Sequence, residues 1–314
     1  MELIELLSEL KTLQLFIILF SGLFIGSLLN VFNYRIPHIL MYENAIMVKS
    51  NAIEVTDETK EILDKYKNFN MFFPASGCPN CNHEIKWYEN IPVVSYLFLK
   101  GKCSNCKQHI SIEYPFIELL TCISWVCMYF FYGWCYELPF ALLMISIIIS
   151  ESVIDFKYKV LPDTGLFILF IIPLYLSLTG DFRISTQESI VSSISSYLII
   201  LTFVSSWEKI RNMKENMLGR GDIKYFAAIA AWVGLIGLLE VILFSVLFGL
   251  LIFIFYSLIN KEKLISKTIA FAPSISLSFI FCYFYQPNLI NYLINWSIFV
   301  KNNKLCLTLF SYSE

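Results

Sequence analysis

Apolar residues run along this chain in long blocks separated by shorter polar and charged stretches, and the blocks approach the length of membrane crossings. A hydrocarbon layer about 30 Å thick takes roughly 20 apolar residues per helix. On that measure about eight spans are predicted, near residues 13–32, 116–131, 138–154, 165–178, 190–207, 225–239, 241–260 and 269–285. Several are short, so tilting is expected, and a further apolar stretch at 290–300 is too short and too interrupted to count. The only interval able to form a domain outside the membrane follows the first span. The expected organisation is therefore an all-α polytopic membrane protein: a first transmembrane helix at 1–34, a loop domain at 35–115 and a helical membrane domain at 116–314.

Composition agrees with the pattern. Of 314 residues, 57% are hydrophobic and only 15% charged, with a mean hydropathy of +0.65, far from a soluble mixture. Glu2, Glu5 and Glu9 make the leading segment acidic where a cleavable signal should be basic, so the first span is expected to be retained. Cytoplasmic loops carry an excess of Lys and Arg. An N-terminus outside puts the intervals 35–115, 155–163, 208–224 and 261–267 inside, and these hold every Lys and Arg of the 23 except Lys11, Arg183, Lys301 and Lys304. The net charge of -2 and the lack of a basic stripe with interleaved aromatics give no sign of a nucleic-acid partner.

The loop after Arg35 opens with a charged stretch that includes TDETKEILDKYKNF, a helix that Thr56 or Asp57 would cap. It then places Cys78 and Cys81, and some twenty residues later Cys103 and Cys106, in two C-x2-C knuckles. That spacing predicts a closed tetrahedral zinc site of four thiolates, structural because no coordination position is left for a reacting water. Two disulfides are the alternative, disfavoured in a reducing cytosol. His83 and His109 are expected to be solvated, and Cys122, Cys127 and Cys282 to be packing residues in the spans. Cys135 and Cys306 fall on the outer side, where a disulfide is conceivable.

Ionisable groups within membrane spans are costly and usually functional. Glu151, Asp155 and Asp222 stand out. The third span runs inward and delivers Asp155 at its inner end; the sixth starts beside Asp222 and runs outward, so parity sets both at a similar depth. Two aspartates sharing a proton form the apparatus of an aspartic protease, one acting as base toward water while the other donates to the carbonyl under attack. Gly219 and Gly221 would leave an extended substrate backbone room to approach. The plainer reading makes Asp222 a cap or first-turn acid of its helix. Asp163 reads first as an N-cap, Glu151 as a third acid or a bundle hydrogen-bonder, and Lys224 as an interfacial anchor or a group that tunes Asp222.

These residues lie in segments that resemble the bacterial type IV prepilin peptidases, the leader peptidase and N-methyltransferase family that includes type II secretion enzymes, of the GxGD intramembrane aspartic class. GSLLNVFNYRIP (26–37) resembles its first-helix exit; PASGCPNC, ENIPVVSYL, GKCSNC and YPFIELL its zinc loop; IDFKYKVLPD and LGRGDIKYFAAIAAWVG its catalytic segments. The resemblance implies that Asp155 and Asp222 are the catalytic pair and that Cys78, Cys81, Cys103 and Cys106 hold zinc. It further implies cleavage of the short basic leader of prepilins and pseudopilins at the cytoplasmic boundary of the bacterial inner membrane, then N-methylation by S-adenosylmethionine, for which no glycine fingerprint is visible. Partners would be those substrates and the lipid bilayer, with a homodimer permitted. Lys157 departs from the family where relatives often carry an acid, as does FAPS (271–274) from a more usual Phe-Gly-Pro. Glu84, Glu89 and Glu113 would either attract the leader or be ordinary solvated residues. A proton-coupled transporter would use the same acids and would favour inverted repeats, of which none is convincing. A non-catalytic zinc-loop scaffold is the third reading.

Overall fold

Helices account for nearly all the regular structure in the computed structural model, which describes residues 2–51, 56–78, 80–180, 182–212, 218–260 and 270–285. Among the described residues no strand forms beyond two isolated antiparallel bridges, Gly77 with Glu84 and Lys102 with His109. The chain divides into two compact units, residues 1–162 and 163–314.

The first unit holds α1 (Glu2–Ser50), α2 (Asp57–Lys65), a 3-10 turn (Trp87–Asn90), α3 (Val94–Phe98), α4 (Glu113–Tyr132) and α5 (Leu138–Tyr158). Lipid is as apolar as leucine, so membrane helices associate through close packing and hydrogen bonds instead of apolar burial. Gly22 and Gly26, one turn apart on α1, make that packing possible: a Cβ on Gly26 would stand 2.6 Å from the Cα of Glu118, and one on Gly22 3.0 Å from the Cα of Cys122, both on α4. Trp125 of α4 donates its indole N–H to Ser146 of α5 at 3.0 Å. Phe16, Phe20 and Phe130 face outward, as lipid contact requires.

The first helix is longer than its predicted span, running through Pro37 to Ser50. Pro37 removes the hydrogen bond to the Asn33 carbonyl, a local cost of about 3 kcal/mol. Tertiary contacts offset it. Arg35, buried, donates to the carbonyls of Asn70 and Pro74 and lies 5.2 Å from the Phe69 ring centre. His38 meets Tyr66 at 4.9 Å and Tyr158 at 5.4 Å between ring centres. The expected α2 forms, with Thr56 as its N-cap accepting from Thr59 N at 3.3 Å and Asp57 in its first turn.

The second unit holds α6 (Asp163–Leu178), α7 (Thr186–Arg211), α8 (Arg220–Asn260) and α9 (Ala272–Tyr285). Its core is the opening half of α8, where Ile223 and every residue from Tyr225 to Trp232 are buried. Small residues again line the contacts: Ser189, Ser192, Ser193 and Ser196 give α7 a buried face at helical spacing, and Ser189 donates to the Ala231 carbonyl at 2.8 Å. Trp232 donates to the Leu169 carbonyl of α6 at 2.8 Å, and the Tyr225 hydroxyl lies 2.7 Å from that of Ser276 on α9. Gly234 breaks α8 with φ 72° and ψ 177°, a backbone state that favours glycine.

Among the described residues, five helices are long and apolar enough to be membrane spans, where eight spans were expected over the whole chain. The difference has a physical source. Two predicted spans fall within the long α8, which breaks at Gly234 inside the first of them, while α6 with 16 residues and α9 with 14 are shorter than a perpendicular crossing needs. The stretch at 290–300, Cys306 and the interval 261–267 lie outside the described residues.

Candidate functional site

The four loop cysteines come together as the spacing predicted. Their sulfurs all lie within 4.8 Å of one another, with Cys78 to Cys106 at 3.7 Å and Cys81 to Cys103 at 4.0 Å. A tetrahedron with bonds of ~2.3 Å has sulfur edges of ~3.8 Å, so the set fits a metal ion of that kind. The two knuckles are copies of one another. In each, the first cysteine N–H bonds a carbonyl five residues on, Cys78 to His83 at 2.9 Å and Cys103 to Gln108 at 2.8 Å. The turn is closed by a residue in the left-handed region, Asn82 (φ 54°) and Lys107 (φ 59°). Asn80 points its amide at Cys106 (3.8 Å) and Asn105 at Cys81 (3.7 Å), so each knuckle solvates a sulfur of the other.

Backbone N–H groups aimed at sulfur favour the thiolates that a metal needs. The Gln108 N–H draws Cys106 down to about 6, and the Asn80 N–H lowers Cys78. At Cys81 the His83 N–H also pulls downward but is outweighed by desolvation and by the neighbouring thiols of Cys106 and Cys78, leaving it raised. The ring of His83 lies 3.7 Å from Glu89 and outside the sulfur cluster, while His109 is exposed. Glu89 also accepts from the Lys86 N–H at 3.0 Å, which with Ser104 holds its carboxyl below the usual range.

On α5 of the first unit, Glu151 and Asp155 are both buried, at 2% and 7% exposure, one turn apart. They belong to a wider polar face. Asn33 of α1 is 2% exposed and accepts from Ser150 Oγ, while its own Nδ2 is buried with no hydrogen-bond partner among the described residues. Asn30 donates to the Tyr114 carbonyl at 3.0 Å, and buried Glu118 accepts from the Val93 N–H at 2.7 Å. Reading the sequence for membrane acids missed Glu118, and Glu240, 5% exposed on α8, by the same oversight. The signal was present: Ser27, Asn30 and Asn33 recur every three residues in an apolar helix, and Glu118 lies inside a predicted span.

In the second unit, Asp222 occupies the first turn of α8, half-buried. Gly219 opens that helix, its carbonyl accepting from Ile223 N at 3.3 Å, and a Cβ there would stand 2.8 Å from Asp222 Oδ2. The carboxylate therefore folds back over the glycine. Lys224, read from the sequence as an anchor or a tuner, donates to Asp163 at 2.6 and 2.8 Å. Asp163 is the first residue of α6, and its carboxylate serves that lysine. A groove of about 640 Å³ opens beside this pair, lined by Phe167, Phe170, Tyr197 and Leu198. Lys157 pairs with Glu113, the first residue of α4, at 2.7 Å, both part-exposed. Cys122 and Cys282 are buried as expected, but Cys127 is exposed on α4 and so is not a core packing residue.

Comparison with known proteins follows the motifs. Residues 20–132 match the bacterial peptidase A24 N-terminal domain and residues 141–254 the type IV leader peptidase family. The chain is 34% identical to a prepilin leader peptidase/N-methyltransferase of Legionella pneumophila, over 90% of this chain and 96% of that one. It is 33% identical to the protein of the same description in Neisseria gonorrhoeae, over 82% and 85% of the two chains, and 36% to that of Dichelobacter nodosus, over 76% and 82%. No solved structure matches.

Proposed function

The chain belongs to the type IV leader peptidase family, and from that premise we propose that it cuts the leader from prepilins and pseudopilins and methylates the amine that the cut exposes. The observation that carries this reading is the likeness to a prepilin leader peptidase/N-methyltransferase over 96% of that protein's length. Nothing among the findings favours a transporter or a scaffold.

Asp155 and Asp222 are the proposed catalytic pair. One carboxylate removes a proton from water as its oxygen attacks the scissile carbonyl; the other, protonated, donates to the carbonyl oxygen. Collapse of the tetrahedral adduct then expels the amine, which takes up a proton. Gly219 and Gly221 give the substrate backbone access. Burial of Asp155 and the back-folded Asp222 support the assignment, as does the run of both residues within matched family segments.

The four-cysteine set is proposed to hold zinc, which would tie the loop's two knuckles together and take no part in hydrolysis. S-adenosylmethionine is the methyl donor that the relatives' name implies; it supplies the methyl group to the new N-terminal amine, and no residue is assigned to it. The proposed setting is the bacterial inner membrane, N-terminus outside and the 35–115 loop inside, with the first helix at 1–34 and the peptidase helices at 116–314. Incubating the purified chain in lipid nanodiscs with a prepilin, with and without S-adenosylmethionine, tests both activities by intact mass. Release of the leader with one added methyl group is expected; an uncut prepilin opposes the peptidase, and a cut but unmodified amine opposes methylation.

A further inference from the structure

The metal-binding loop carries apolar side chains that a water-surrounded domain would not leave bare. Trp87 is 82% exposed, Leu97 68%, Phe98 82% and Ile112 74%, all outside the candidate membrane spans. Soluble surfaces seldom gather such groups without a partner to cover them.

The loop's own bonds fix where α3 and Ile112 lie, and the 3-10 turn that carries Trp87 packs against α3. Val93, the N-cap of α3, donates its N–H at 2.7 Å to Glu118, which is buried five residues past the first residue of α4. At 1.5 Å per residue that carboxylate stands roughly 7 Å along a helix long and apolar enough to cross a membrane. The far end of α3 is tied to the same place. Ile110 N bonds the Gly101 carbonyl at 2.8 Å, and Tyr96 Oη reaches the Ile110 carbonyl at 3.5 Å. Ile112 immediately precedes α4. So α3 lies against the opening turns of a membrane helix, at the depth where that helix enters the bilayer.

We propose that this face of the loop is seated on the bilayer surface, with Trp87, Leu97, Phe98 and Ile112 in the interfacial layer and Lys86 and Lys100 against anionic lipid headgroups. Tryptophan favours that layer, where its ring meets acyl chains and its N–H meets water. Lysine stems lie along apolar surface while their ammonium groups reach phosphate. Both lysines are exposed and adjoin the apolar positions in sequence. A phospholipid surface offers both chemistries together. The inference needs only that α4 crosses the membrane and is independent of the peptidase reading. Its consequence is that the four-cysteine knuckles are held beside the membrane.

The test is site-specific photo-crosslinking of the full chain in nanodiscs of phosphatidylethanolamine and phosphatidylglycerol. Benzoyl-phenylalanine is placed singly at Trp87 or Phe98, with Phe130, exposed on α4, as the lipid-facing reference and Glu61, exposed on α2, as the aqueous one. Lipid adducts at Trp87 and Phe98 comparable to those at Phe130, and none at Glu61, are expected. Adducts at Phe130 alone overturn the proposal, and so do cross-links from Trp87 or Phe98 to a second copy of the chain. A second reading avoids any concern about folding. Trp87→Phe should remove a fluorescence component that brominated lipids quench; a component quenched by aqueous iodide instead also overturns it.

Discussion

The ammonium of Lys224 lies 2.6 and 2.8 Å from the two carboxylate oxygens of Asp163, tying the first turn of α8 to the first residue of α6. Both side chains are substantially exposed, at 43% and 70%. An exposed pair is worth about 0.2–1 kcal/mol. Lys224→Gln and Asp163→Asn should each lower unfolding stability by less than about 1 kcal/mol, and the double variant by no more than the larger single loss. A thermal double-mutant cycle in nanodiscs checks this; full additivity would mean that the pair does not couple.

The packing of α1 on α4 predicts an order of damage. Gly26→Ala drives a Cβ to 2.6 Å from backbone, which cannot swing away, while Gly22→Ala meets backbone at 3.0 Å. Overpacking of this kind costs about 1–3 kcal/mol. Gly26→Ala should be the more destabilising, read from the temperature at which the helices lose protease resistance; equal or reversed losses would contradict the close approach.

Removing the metal should loosen the loop and leave the helices. Chelation, or Cys81→Ser, should speed amide exchange across 77–110, where two isolated bridges, a 3-10 turn, the five-residue α3 and a few turns supply the other backbone order among the described residues. Exchange within α4 and α5 should be unchanged. Unaltered exchange in the loop after complete metal loss would show that thiol packing alone suffices.

Much of this architecture was legible in the sequence because its signals are local. The C-x2-C spacing set the four-sulfur cluster, Thr56 the start of α2, and the apolar blocks the positions of the helices long and apolar enough to cross a membrane. What the sequence concealed depends on partners distant in the chain. The run of α1 beyond Pro37 is supported by Asn70, Pro74 and Tyr66, contacts that no periodicity reports. Glu118 stood in a predicted span, but its partner, the Val93 N–H whose hydrogen bond it accepts, lies twenty-five residues earlier in the chain. The break of α8 at Gly234 was likewise hidden, because hydropathy carries no signal of a glycine in a non-helical backbone state.

Gly219 supplies a test of the site that does not alter an acid. A methyl group there meets Asp222 Oδ2 at 2.8 Å, so Gly219→Ala should push the carboxylate aside. Displacement of a reacting group by about 1 Å can cost on the order of 100-fold. The expected result is a large fall in kcat for leader cleavage with KM and metal content little changed; a change confined to KM would place Gly219 in substrate binding alone.

The most direct measurement co-expresses a prepilin with the wild-type chain, with Asp155→Asn or with Asp222→Asn, and takes the intact mass of the pilin product. Each single variant should insert, retain its metal and leave the leader uncut, while the wild type removes it. Normal processing by either variant, at wild-type levels of inserted protein, would contradict the two-aspartate account.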